Sequence, residues 1–325
     1  MTELLDQTNT ARAIEILQRG GTVIFPTETV YGLGARIDDP EAVKQIFIAK
    51  GRPQDNPLIV HIGNKSQVED LAFDIPEIAY TLMEAFWPGP LTLGFKKKDF
   101  VSDQVSAGLK TVGVRMPSHP VALEILKSGL FIAAPSANPS GSPSPTSEEH
   151  VKEMIGKVDA IVLAGDCPVG LESTFLDLTT TPPRILRPGK VSFEDLVKYI
   201  PDLEIHQGSD KTASPGTRYR HYAPKTPVYL LSGSWEQFEV FMKQHPEAIF
   251  FVPDELWQNK ENQVRFLPGG SLEEASHRLY RDLRRVDGTA EAIYIPVLES
   301  VGIGRALMDR LIRAAQGNII NLEEI

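Results

Sequence analysis

Directly after Thr22-Val23-Ile24-Phe25, a β-branched and aromatic run that reads as a buried strand, the chain sets Thr27, Glu28, Thr29 and Tyr31 between Pro26 and Gly34. Two hydroxyls, a carboxylate and a phenol at a strand end stand where open α/β sheets bind their ligands. Gly32 and Gly34 are read as the tight turn that leaves the strand, although an ordinary strand exit uses the same residue types. Lys50 and Arg52 lie two apart beside Gly51 and before Pro53. A point charge and a planar fork on a stiffened segment suit a polyphosphate; solvated charges at a helix end are the plainer alternative. Arg115 closes Thr111-Val112-Gly113-Val114 just before a proline-bearing loop, a placement suited to clamping a carboxylate or phosphate. Pro135–Thr146, with Ser136, Asn138 and Ser144, is too proline-dense for regular structure and comes directly after a strand. Its hydroxyl, amide and backbone donors could hold phosphate or a nucleobase, or simply fill a surface turn. Ser173 and Thr174 sit at another glycine-rich turn, and Arg187 precedes Pro188-Gly189 in a second strand-arginine-proline pattern. Each stretch alone has a structural explanation. Polar groups returned repeatedly to strand ends favour one shared site.

The elements that must position these groups are set by periodicity and punctuation. A helical stripe at Ala13, Ile14, Ile16 and Leu17 is stopped by Gly20-Gly21, and Asp39-Pro40 opens a helix burying Val43, Ile46 and Phe47. A strand over 58–62 carries His61 in an apolar run, where a lone histidine reads as a satisfied core residue. An amphipathic helix over 75–86 ends at Trp87-Pro88-Gly89-Pro90, a rigid corner, and a strand over 91–95 runs into Lys96-Lys97-Lys98, read as a solvated strand end. A helix over 119–127, a strand over 130–134, a helix capped by Thr146-Ser147-Glu148-Glu149 and a strand over 160–163 complete the alternation. Cys167 precedes a proline with no basic activator nearby, so it is not read as a nucleophile.

The chain has 325 residues, enough for one or two domains with proper cores. Its 42% hydrophobic and 23% charged content is that of a water-soluble globular protein. One cysteine excludes a disulfide framework and a cysteine-rich zinc site, and suits a cytoplasmic location. The N-terminal twenty residues are acidic and helical in pattern, so no apolar leader is expected, and no run approaches the roughly 18 apolar residues of a membrane span. A formal charge of −10 weighs against broad nucleic-acid binding but allows a small anion in a locally basic cleft.

Taken together, PTETVYGLG, KGRPQDNPL, WPGPLTL, VGVRMP, APSANPSG, GLESTF and ILRPG resemble, in order, the motifs of the YrdC-like threonylcarbamoyl-AMP synthases. The resemblance covers about residues 10–200, and Ser214–Pro224 together with the C-terminal hundred or so residues resembles the longer, two-domain branch of that family. It implies a twisted, mixed open α/β sheet with a concave active-site face over 1–205, a linker or lid over 206–227, and a smaller Rossmann-like α/β domain over 228–325. The implied reaction joins L-threonine, bicarbonate or CO2, and ATP into L-threonylcarbamoyl-AMP with release of pyrophosphate. The product would be handed to a tRNA threonylcarbamoyl-transferase complex. By that resemblance L-threonine meets Thr29, His61, Arg115, the backbone at Ala134, and Ser173. ATP meets Lys50, Arg52, Asn56, Thr111, Ser136, Asn138, Ser144, Arg187 and Tyr222, with Lys50 and Arg52 the catalytic cations. Mg²⁺ is expected on the triphosphate, and no residue of the chain is assigned as a metal ligand. The second domain carries 14 Lys/Arg against 16 Asp/Glu over 206–325, so no direct stable nucleic-acid binding is expected. Two rivals remain: an RNA-binding module, which an acidic chain without an RNP-type aromatic pattern disfavours, and a carbamoyl-adenylate enzyme, whose zinc-finger regions one cysteine cannot build.

Overall fold

The computed structural model describes residues 1–206 and 221–324, in two compact units. Unit one comprises Met1–Ser140 and Ser144–Tyr219; unit two comprises Gly141–Pro143 and Arg220–Ile325.

The strands of unit one are β1 (Glu3–Asp6), β2 (Val23–Pro26), β3 (Tyr31–Arg36), β4 (Ile59–His61), β5 (Ala72–Phe73), β6 (Leu91–Lys97), β7 (Thr111–Arg115), β8 (Ile132–Ala133), β9 (Ala160–Leu163), β10 (Thr174–Asp177), β11 (Arg184–Arg187) and β12 (Glu204–Ile205). They form one mixed sheet in the order β1-β9-β2-β3-β8-β4-β7-β6-β10-β11-β12, with β5 paired to β6. Side chains alternate between the two faces of a strand, and that alternation decides which part of the sheet is core and which is site. In β2, Val23 and Phe25 join one apolar cluster and Ile24 the other, so this strand is buried on both faces. In β7 only Val112 and Val114 enter the core; Thr111, Gly113 and Arg115 occupy the opposite face. The helices Thr10–Gln18 and Pro120–Leu126 cover Val23, Phe25 and Ile132. By register, that same face runs on through His61, paired with Ile132, to Arg115, paired with His61. One surface of the sheet is therefore core at one end and polar at the other.

Three expectations are corrected. Gly32 and Gly34 do not turn the chain: the turn is Thr27–Val30, and both glycines lie within β3, antiparallel to β2. Gly34 is needed for close approach, since a Cβ there would stand 2.6 Å from the Phe25 ring and 2.8 Å from Ile132. The N-terminal segment is helical only from Thr10; Glu3–Asp6 pairs parallel with β9, burying Leu5 alone of its four residues. The third is corrected only at Lys97: Lys96 and Lys98 are exposed, as a solvated strand end should be, whereas Lys97 is half-covered, donating to the Val101 carbonyl at 2.8 Å and to Asp103 at 2.9 Å. The helix Pro40–Lys50 forms as its sequence requires, with Asp39 accepting the N–H groups of Glu41 and Ala42 and Pro40 in the first turn.

Unit two holds β13 (Val228–Ser232), β14 (Ile249–Pro253), β15 (Gln263–Leu267), β16 (Ile293–Pro296) and β17 (Ile319–Asn321). They form an all-parallel sheet in the order β15-β14-β16-β13-β17, with helices Trp235–Gln244, Leu272–Val286 and Ile303–Ala314. Phe238, Phe241 and Phe250 pack edge to face in its core. Arg310 is fully buried, ion-paired with Asp309 at 2.6 Å, its guanidinium 5.4 Å from the Tyr222 ring, which stacks on Tyr280 at 5.6 Å. Among the described residues no helix is long and apolar enough to cross a membrane.

Adding one methyl at Gly34 is expected to overpack the β2–β3–β8 contact. Gly34→Ala should lower stability by about 1–3 kcal/mol, read as a fall in the denaturation midpoint at unchanged slope.

Candidate active site

Arg115, at the carboxyl end of β7, is held by three hydrogen bonds from its guanidinium. It is 4% exposed, and its Nε donates to the Gly89 carbonyl at 3.3 Å. Its Nη1 donates to Thr29 Oγ1 at 2.9 Å and its Nη2 to Glu28 Oε1 at 2.6 Å. The second Glu28 oxygen accepts the backbone N–H of Ser118 at 3.0 Å. A guanidinium has five N–H bonds, and three are used here. One on each terminal nitrogen remains, a pair spaced to receive a carboxylate.

Beside Arg115, at the matching position of the parallel neighbour β4, lies His61. Its Nδ1 donates to the Ile59 carbonyl at 3.3 Å, the same oxygen that accepts the Ala134 N–H at 3.1 Å. Burial, and secondarily the Arg115 cation, pulls its pKa down to about 3, so the ring is neutral at any ordinary pH. Ala134 thus has its N–H occupied and only its carbonyl to offer a ligand.

A second group of cations stands at the end of the helix Pro40–Lys50. Lys50 is buried, and its Nζ donates to the carbonyls of Ser136 at 2.5 Å and Asn138 at 2.6 Å. Its own carbonyl accepts the Ser140 N–H at 2.8 Å, so the proline-rich stretch is wrapped around this lysine rather than lying as a surface turn. Burial first, and then the neighbouring Arg52 charge, holds the Lys50 pKa well below the usual lysine range. Arg52 Nη2 donates to the carbonyls of Asn56 and Pro57 at 3.3 and 3.0 Å. Asn56 is 1% exposed, and neither its amide oxygen nor its amide nitrogen has a hydrogen-bond partner. A buried amide left so costs free energy unless a ligand completes it.

The third group joins β10 to β11. Arg187 donates through Nε to the Ser173 carbonyl and through Nη2 to Ser173 Oγ, each at 3.1 Å, and Thr92 Oγ1 lies 2.7 Å from the same hydroxyl. Gly189 permits the close approach, because a Cβ there would fall 2.3 Å from the Thr174 nitrogen. Ser144 donates to the buried Glu172 at 2.5 Å.

The structure therefore gathers Thr29, His61, Ala134 and Arg115 through shared bonds or register. It gathers Lys50, Ser136 and Asn138 around one ammonium, Arg52 against Asn56, and Ser173 against Arg187. Thr111 stands apart, at the opposite end of β7 from Arg115, roughly 13 Å along the strand by its rise per residue. Of the linker motif, 214–220 lie outside the described residues, while His221–Pro224, Tyr222 included, belong to unit two. Cys167 is buried and its thiol is pushed far up by burial, in keeping with an inert side chain. Sequence reasoning left Glu28, Thr92 and Glu172 without roles. All three lie inside the recognised motifs, but their partners are distant in the chain and only the fold reveals them.

A family model described as "Telomere recombination" matches residues 15–189, and one described as "Threonylcarbamoyl-AMP synthase, C-terminal domain" matches residues 191–316. A threonylcarbamoyl-AMP synthase of Pyrococcus abyssi is 42% identical, with 95% of each chain covered. One of Bacillus subtilis is 41% identical over 95% of this chain and 94% of its own. The crystal structure of P. abyssi Sua5 complexed with L-threonine superposes with a TM-score of 0.91 at 39% identity, covering 99% of both chains.

The neutral His61 has a measurable consequence. An unfolded histidine binds a proton below about pH 6.5, whereas the folded one does not until about pH 3. Stability should therefore be independent of this group above pH 6.5 and fall on acidification through that window, by about 1.4 kcal/mol per pH unit from this group alone. Denaturation midpoints from pH 7 to 4 should show a shallower slope in His61→Gln than in the wild type.

Proposed function

The chain belongs to the threonylcarbamoyl-AMP synthase family, and from that premise we propose how its own residues carry the reaction. It makes L-threonylcarbamoyl-AMP from L-threonine, bicarbonate or CO2, and ATP, releasing pyrophosphate, the first step in forming the threonylcarbamoyl-adenosine of tRNA. The observation that carries this reading is the 41–42% identity over 95% of the chain to enzymes of that name, which excludes a match through one shared domain. It also sets aside the RNA-binding module and the carbamoyl-adenylate enzyme. By reaction type the protein is then a nucleotidyltransferase.

In this proposal the two unused N–H bonds of Arg115 hold the threonine carboxylate, with Thr29, His61, the Ala134 carbonyl and Ser173 around the rest of the amino acid. The neutral threonine amine adds to CO2 and gives up a proton, water leaving as well when bicarbonate is the source, and an oxygen of the resulting carbamate attacks the α-phosphorus of ATP. The α,β-bridging bond breaks and pyrophosphate leaves with its electron pair. No protein nucleophile is required, and positioning with cationic stabilisation supplies the catalysis. Lys50 and Arg52 face the phosphates, and the unpartnered Asn56 amide finds its partners on the nucleotide. Ser136, Asn138, Ser144 and Arg187 line the nucleotide side in this reading, Ser144 through its lone pairs because its proton goes to Glu172, with Thr111 at the periphery. Mg²⁺ in this reading is carried by the ATP triphosphate rather than by a protein cage. That ion would neutralise phosphate charge. We further infer a cytoplasmic enzyme that passes its product to a tRNA-modifying transferase.

Purified protein with ATP, Mg²⁺ and bicarbonate should release pyrophosphate only when L-threonine is added, and not with L-serine at equal concentration. Threonine-independent release would overturn the reading. Lys50→Ala or Arg52→Ala should lower threonine-dependent release at least about 100-fold, the scale of losing one electrostatic contact to the transition state. Near-normal turnover by either variant, folded by circular dichroism, would remove these cations from the mechanism.

A further inference from the structure

Thr27 lies outside every ligand contact assigned above, yet its hydroxyl fixes what Thr29 can offer a substrate. Thr27 is 2% exposed and Thr29 is fully buried, and their hydroxyl oxygens stand 2.9 Å apart. Thr27 Oγ1 also stands 2.6 Å from the Val30 carbonyl, an acceptor only, so the single Thr27 proton points there. The bond between the two threonines therefore takes its proton from Thr29. At the same time Thr29 Oγ1 accepts from Arg115 Nη1 at 2.9 Å. With its proton committed and one lone pair engaged, the Thr29 hydroxyl retains one free acceptor position and no donor.

We propose that Thr27 is a positioning residue that makes Thr29 an obligate hydrogen-bond acceptor beside the Arg115 fork. The inference rests on the synthase reading and deepens it. A carboxylate and an amino group on one carbon are the only two ends of an α-amino acid that must lie side by side. The geometry presents two donors for the first and, one hydrogen bond away, a lone pair for an N–H of the second. A hydroxyl free to rotate could present its proton instead, against the amine. The backbone N–H groups of Thr29 and Val30 reach the same oxygen at 3.2 and 3.3 Å, longer than the 2.9 Å hydroxyl contact, and share its second lone pair. Glu28 does the matching work for Arg115, engaging one Nη2 proton and leaving one N–H unused on each terminal nitrogen.

The test is Thr27→Val, which keeps the side-chain volume and removes the acceptor, with Thr27→Ser as the conservative rescue. The Michaelis constant for L-threonine should rise about tenfold or more, the scale of a hydrogen bond lost in a buried site, while that for ATP stays within twofold. Thr27→Ser should restore the wild-type value. Titration calorimetry of L-threonine alone should show the same weakening without turnover. A wild-type Michaelis constant for L-threonine in folded Thr27→Val, an equal rise for ATP, or failure of the serine variant to rescue would each overturn the proposal. If Thr27→Val does not fold, Thr27→Ala takes its place under the same criteria. Absence of threonine-dependent pyrophosphate release by the wild type would strike the synthase reading instead, leaving the calorimetric comparison to judge Thr27.

Discussion

The buried ion pair between Glu28 and Arg115 is the constraint on which the rest of the catalytic unit turns. Removing two charges from water costs several kcal/mol for each ion, at the order-of-magnitude level, and the cost is offset only when geometry and hydrogen bonding are nearly complete. Here both carboxylate oxygens accept and three of the five guanidinium N–H bonds are engaged, with one left on each terminal nitrogen. Satisfying one arginine therefore dictates the positions of the loop after β2, the corner at Gly89, the end of β7 and the backbone at Ser118.

Around that pair the sheet divides its labour by alternation. Strands that read as unbroken apolar runs, such as Val23–Pro26, are core on both faces. Thr111–Arg115 interleaves two valines with polar and small residues and becomes core on one face and site on the other. The buried strand after Thr22, the strand ending at Arg115 and the Asp39-Pro40 helix start were all readable in the sequence. Local chemistry determines all of these.

What was not legible depended on partners far along the chain. Gly32 and Gly34 looked like a turn because glycine supplies turns, but Gly34 serves to let Phe25 and Ile132 approach, which a linear reading cannot see. Glu3–Asp6 buries one residue and is a strand only by pairing with β9, more than 150 residues later. Gln263–Leu267 and Ile319–Asn321 were likewise missed, the latter an edge strand with half-covered side chains. The chemical types at the site were visible; which of their bonds were already taken was not. Thr29, Ala134 and Arg115 each appear in the sequence as groups with several hydrogen-bonding options, and the fold removes most of them.

The wrapping of 136–140 around Lys50 has a kinetic side. Three hydrogen bonds fix this proline-bearing segment against one lysine, so the loss of chain entropy in ordering it is incurred during folding rather than on encounter with a ligand. In the reaction proposed above, the third N–H of the Lys50 ammonium would take a phosphate oxygen without disturbing the other two. An anion arriving there would meet a surface already set, and its rate of capture would be governed by diffusion and electrostatic attraction rather than by a search among loop conformations.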